Sequence, residues 1–242
     1  MFAYPTSFQS LTTNADIVPE EAIHRSIAFF KQWHAWKLRL EGYWNSAYRL
    51  LDAYISYADL ASFSNRSRRE NFGGELMVSF TPANPQNNFF GWSSYTLGRN
   101  TLDKYLSEYD QTHVFKLVAG YLFGIHTVSL RFDLNSGFPY IPITGSYLSA
   151  GTVPEYFAYG DANAQAHFPM AHRLSLRYSQ DRPVSWGSWR WYVEVINVTN
   201  YAPLGRQVFD SRQPYQAGVN PTLQPLEPKI PILPNFGVEI RF

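Results

Sequence analysis

Charged side chains recur two or four residues apart along much of this chain: Lys37, Arg39 and Glu41; Arg131 and Asp133; Arg173 and Arg177; Arg190 and Glu194; Glu239 and Arg241. Glu75 and Lys116 stand in similar surroundings. Two carboxylates facing each other would suit glycoside hydrolysis. The signs here are mixed, and an even spacing puts such groups on one side of an extended chain, where neighbouring strands pair them as ladders. The ladder is the preferred reading. A second cluster, Arg66, Arg68 and Arg69, falls in a stretch expected to be an external loop. It would suit lipopolysaccharide phosphates or the steering of an anionic ligand, against the plainer reading of a solvated loop. The histidines His24, His34, His113, His126, His167 and His172 show no metal-ligand spacing. There is no Gly-x-Ser-x-Gly elbow, no phosphate-binding loop and no cysteine. No enzymatic activity, metal or cofactor is expected.

The elements that position these charges are strands. Phe236, Val238, Ile240 and Phe242 alternate with Asn235, Gly237, Glu239 and Arg241 up to the last residue of the sequence. Period two with one apolar side is the mark of a half-buried or lipid-facing strand. The same pattern returns with Val128, Leu130, Phe132 and Leu134 against Ser129, Arg131, Asp133 and Asn135. It returns again in Trp189, Trp191, Val193 and Val195 against Arg190, Tyr192 and Glu194. On this reading Lys37, Arg39, Glu41, Glu75, Lys116, Arg131, Asp133, Arg173, Arg177, Arg190, Glu194, Glu239 and Arg241 share a watery face, the lumen of a barrel. The other face is unbroken aliphatic and aromatic.

Composition favours lipid over a packed core. The 242 residues are 17% aromatic and only 16% charged, against about 25% charged in ordinary soluble domains. Barrel walls spare charge on one face and place Trp and Tyr at both interfaces, as Trp33, Trp36, Trp44, Trp186 and Tyr95 would be. A net charge of +1 gives no support for a nucleic-acid partner. No apolar run is long enough for a membrane-spanning helix, and no signal peptide is visible at Met1.

Nine strands are expected, near 22–32, 35–49, 71–81, 88–99, 110–122, 125–136, 168–180, 186–199 and 230–242. Short joints near Trp33-His34, Pro82–Asn87, Phe123-Gly124 and Asp181–Ser185 alternate with long ones over 50–70, 100–109, 137–167 and 200–229. Outer-membrane barrels alternate short periplasmic turns with long extracellular loops in this way. The chain reads as a single domain, 1–242, with 1–21 as an external loop. An odd strand count cannot return both ends to the periplasm, so either upstream strands are absent or residues 2–11 add a short tenth.

Several phrases in order resemble one family. These are Pro19-Glu20-Glu21-Ala22-Ile23-His24, Leu40-Glu41-Gly42-Tyr43, Gly73-Gly74-Glu75-Leu76 and Gly91-Trp92-Ser93-Ser94-Tyr95-Thr96-Leu97. Tyr109-Asp110-Gln111-Thr112-His113, Ser136-Gly137-Phe138-Pro139-Tyr140, Asn197-Val198-Thr199-Asn200 and the Pro231–Phe242 close complete the set. Together, across residues 19–242, they resemble the C-terminal part of the barrel of TonB-dependent outer-membrane receptors. The resemblance implies a fragment of a barrel of about 22 strands. It implies residence in the outer membrane of a Gram-negative bacterium, in contact with lipid and lipopolysaccharide. It also implies energised uptake of an iron chelate, a cobalamin or an oligosaccharide. Contact with the TonB complex would run through an N-terminal plug that these residues do not contain. Phe236, Val238, Ile240 and Phe242 resemble the terminal signal read by the barrel-assembly machinery. Two other readings stay open: a self-contained porin-like barrel of ten strands, and a soluble glycan-binding β-sandwich with Trp189, Trp191, Val193 and Val195 packed on a second sheet.

Overall fold

The computed structural model describes residues 18–54, 62–82, 88–142, 145–148, 156–159, 161, 163–202, 206–209, 223–226 and 231–242. Among them there is no helix. Nine long strands follow in chain order: β1 (Glu21–Trp33), β2 (Trp36–Tyr54), β3 (Ser62–Phe80), β4 (Phe89–Leu102), β5 (His113–Phe123), β6 (His126–Asn135), β7 (Ala171–Val184), β8 (Gly187–Ile196) and β9 (Leu233–Arg241). Each pairs antiparallel with the next, giving one up-and-down sheet in chain order. The short strand Tyr105–Leu106 folds back on Thr101 and Leu102 as a tenth member. β1 and β9 do not pair with each other, so among the described residues the sheet is open with two free edges. The expected ring is not closed here, and the candidate tenth strand at 2–11 lies outside the described residues.

Two-residue turns at His34-Ala35, Gly124-Ile125 and Ser185-Trp186 join three of the hairpins. His34 and Gly124 take positive φ, 50° and 63°; glycine reaches that region freely, and histidine is among the other residue types enriched there. At the opposite end the connections carry small hairpins of their own. Pro139–Tyr140 pairs with Ala166–His167, Gly145–Leu148 with Tyr156–Tyr159, and Arg206–Phe209 with Leu223–Leu226. One expected loop differs. Residues 50–70 are mostly strand, because β2 and β3 continue as a hairpin out to the Tyr54–Ser62 pair. A bulge beside Arg49, whose φ is 58°, absorbs the register shift.

Register fixes the faces. Following hydrogen-bonded partners, Trp36 leads to Phe80, Gly91, Ala119, Leu130, Leu176, Val195 and Pro234. The row begins at the turn end of β2 and finishes at the loop end of β9. The strands are therefore staggered steadily in one direction, the tilt that a curved barrel wall needs. Three cross-strand pairs on the other face set an aromatic ring over a glycine: Tyr43 opposite Gly73, Phe90 opposite Gly120, and Tyr192 opposite Gly237. A methyl group built on Gly120 or Gly237 would lie 2.2 Å or 2.5 Å from those rings, so these glycines make room for the aromatics.

The described residues form no hydrophobic core. Among the described residues no Leu, Ile, Val, Phe or Trp side chain is buried. Ile27 is 80% exposed and Phe236 84%. The second sheet that a sandwich would lay over Trp189, Trp191, Val193 and Val195 is not found among the described residues.

Candidate functional site

The charged face begins with geometry that alternation alone dictates. Partner by partner, Arg39, Met77, Ser94, Lys116, Asp133 and Arg173 form one row across β2 to β7. Asp181, Arg190 and Glu239 form another across β7 to β9. Lys37, Glu41, Glu75, Arg131, Arg177, Glu194 and Arg241 lie on that same face by the same registers.

Two acids organise these cations. Asp133 is almost wholly covered; its carboxylate accepts from Arg131 Nε at 3.0 Å and lies 3.8 Å from Arg173. Glu239 meets Arg241 at 3.4 Å, and Arg190 and Arg177 at 3.7 Å each. Arg190 also donates to Asp181 at 2.7 Å. Arg177 stacks on the Tyr192 ring, its guanidinium carbon 3.8 Å from the centroid. Arg39 pairs with Glu41 and covers Phe30. These are partly solvated ion pairs, each of small worth singly; a network of them does more to order the wall.

At the loop end of this face Asp110 is fully buried. It accepts the Asn100 backbone N–H at 2.5 Å and the Thr112 hydroxyl at 2.9 Å, pinning the β4–β5 connection. Arg69 Nε, Asn100 Oδ1 and Asn135 Oδ1 are buried there without a hydrogen-bond partner. Buried polar atoms are nearly always satisfied, so such atoms mark where a polar guest would be welcome. In the loop-end connections Asn163 holds the Asp161 carboxyl below its usual range, through its backbone N–H and then its side chain. A hydrogen bond to Glu108, together with that carboxylate's charge, pushes the Tyr109 hydroxyl up.

No protein-family model matches this chain, and no curated protein does either.

The arginine cluster needs correction. Arg66, Arg68 and Arg69 sit within β3 rather than in a loop, because the β2–β3 hairpin runs on past them. Alternation then separates them. Arg68 pairs with Glu70 and stacks over Tyr48, its guanidinium carbon 4.9 Å from the centroid, while its backbone N–H donates to Asp103 at 2.9 Å. Arg69 turns to the opposite face, and Arg66 is exposed. Five histidines make ordinary contacts: His24 with Asn45, His113 with Tyr95, His126 with Tyr178, His167 with the Gly137 carbonyl, and His172 stacked on Tyr201. Among the described residues no group of three potential ligands could hold a metal.

The terminal residues Phe236, Val238 and Ile240 project from β9, the free edge, on the apolar face; Phe242 follows the strand and lies against Trp186 at 5.7 Å between centroids. Two acids of the charged face escaped sequence reasoning. Asp181 was placed in a turn, although counting outward from Ser185-Trp186 sets it opposite Arg190. Asp110 stands inside a phrase already singled out, but nothing local marks it as buried.

Proposed function

We propose that this chain is a stretch of transmembrane β-barrel wall in a bacterial outer membrane. Its apolar face meets lipid and its charged face lines a watery interior. The barrel would serve as a receptor for energised uptake of a scarce nutrient. The observation that carries the reading is the continuous, uncovered apolar face. In water a patch of that extent would drive aggregation, whereas a bilayer covers it.

Three further features support it. All nine strands have at least the roughly 9–11 residues needed to cross at a tilt; the shortest, β9, has 9. An aromatic belt runs along the turn end of the apolar face: Trp36 on Phe80, Phe80 near Phe89, Tyr121 on Phe123, His126 on Tyr178, and Tyr178 edge-on to Trp191. Belts of this kind sit at membrane interfaces. The ordered phrases of the sequence supply the resemblance to TonB-dependent receptors. An iron chelate, a cobalamin or an oligosaccharide would then be received at the loop end of the charged face, where the unpartnered polar atoms lie. Coupling to the TonB complex would pass through the plug of such a receptor, and the assembly machinery would read β9.

Reconstitution into vesicles whose acyl chains carry bromine tests the membrane part. Bromine quenches nearby indoles, so the emission of Trp36, Trp189 and Trp191 is expected to fall. Undiminished emission from a folded protein would rule the reading out.

A further inference from the structure

Two adjacent rows on the apolar face are unlike the rest. The upper row, hydrogen-bonded partner to partner from β1 to β4, reads Arg25, Trp44, Phe72, Arg99. The row beneath it reads Ile27, Gly42, Gly74, Leu97. The paired glycines lie on the floor of an open hollow of about 930 Å³ below the two aromatic rings, bordered by Ile27 and Leu97 and almost entirely apolar. One row lower on the same face, Leu40 pairs with Leu76.

Neither glycine is required by the fold. A methyl group added at Gly42 or Gly74 would meet nothing closer than 3.7 Å or 3.6 Å, ordinary contact. Compare Gly73 and Gly98, where the same methyl would fall within 3 Å of the Tyr43 hydroxyl. Glycine inside a strand weakens it, so two that nothing crowds are a cost without a structural return. What they create is the hollow.

The arginines are the second anomaly. Among the described residues neither Arg25 nor Arg99 has an ion-pair partner, and both are exposed. Glu70, one row further out on this face, is already engaged by Arg68. Unpaired guanidinium groups are unfavourable on a lipid-facing surface except at headgroup depth, and there they meet phosphate. Of the other outward cations on these strands, Lys31 and Arg182 lie at the turn end and Arg68, paired with Glu70, at the loop end, so Arg25 and Arg99 mark the loop-end interface.

We propose that this hollow binds one acylated lipid bearing two phosphates, a lipid A-type glycolipid of the leaflet at the loop end. An acyl chain fills the space over Gly42 and Gly74, and the phosphates meet Arg25 and Arg99. The arginines stand three strand spacings apart, about 14 Å, a separation that suits phosphates at opposite ends of a disaccharide better than one shared headgroup. The proposal rests on the barrel-wall reading above.

The test is retention of lipid through purification in detergent, read by native mass spectrometry after mixing with hexa-acylated lipid A, its dephosphorylated form, or phosphatidylglycerol. Lipid A is expected to be kept at least tenfold better than either of the others. The pair R25A/R99A should abolish that preference. The pair G42L/G74L, which partly fills the hollow without a clash at Cβ, should reduce retention of every lipid while leaving the strand circular dichroism unchanged. Equal retention of phosphorylated and dephosphorylated lipid, or full retention by the filled variant, would overturn the proposal. So would a change of oligomeric state in G42L/G74L without loss of lipid, which would assign the hollow to a second copy of the chain. The brominated-vesicle measurement separates the two claims. Quenched Trp189 and Trp191 without lipid A preference sinks only the lipid site, whereas unquenched tryptophans sink both.

Discussion

Leu130 and Arg131 are adjacent and point to opposite faces of β6, with Leu176 and Ser175 as their partners on β7. Exchanging their character tests what each face meets. Leu130→Arg puts a guanidinium into the centre of the apolar face, at a cost of about 2–4 kcal/mol if lipid lies there. It is expected to block insertion into vesicles, scored by flotation of the protein with lipid. Arg131→Ala should insert normally. Asp133 is the more demanding residue on the charged side, because its covered carboxylate serves both Arg131 and Arg173. Asp133→Ala leaves two guanidinium groups facing each other, and about 1–3 kcal/mol of stability should be lost. A shift of the urea midpoint in detergent would record it, while an unchanged midpoint would mean the pair contributes nothing.

Strands interact through aromatic rings laid on glycines. Gly120→Ala would drive a methyl into the Phe90 ring and Gly237→Ala into Tyr192. Overpacking of this sort costs of order 1–3 kcal/mol. Gly74→Ala has free space and should be neutral or slightly stabilising. Thermal melts of the three variants should rank in that order, with Gly74→Ala highest. β9 poses a different question, because Phe242 touches Trp186 and little else. Phe242→Ala is therefore expected to slow assembly into membranes without lowering the final melting temperature. Equal assembly rates would remove the case for a terminal recognition signal.

At the scale of the molecule, the nine long strands form one staggered layer, and among the described residues both its faces are uncovered and both its edges unpaired. Exposed sheet edges and apolar patches of this extent promote association. In detergent-free buffer the chain should form large particles by light scattering, and adding detergent above its micelle concentration should disperse them. A monodisperse, folded monomer without detergent would contradict a lipid-facing wall.

Alternation by itself determined the nine strands, and it assigned Lys116, Asp133 and Arg190 to one face and Leu130, Trp191 and Val238 to the other, because side-chain direction has period two and needs no partner to be read. Strand ends were less legible. Ser62 to Glu70 is polar, with arginines at three positions, and its pairing with β2 comes from the hairpin and its bulge rather than from local preference. The same pairing scattered Arg66, Arg68 and Arg69, while Asp110 is buried by the β4–β5 connection and Asp181 meets Arg190 across the Ser185-Trp186 hairpin. Only the tertiary structure decided that Arg25, Trp44, Phe72 and Arg99 share one row above Gly42 and Gly74. A row runs across strands distant in sequence, and its register is set by hydrogen bonds between backbones that no single segment encodes.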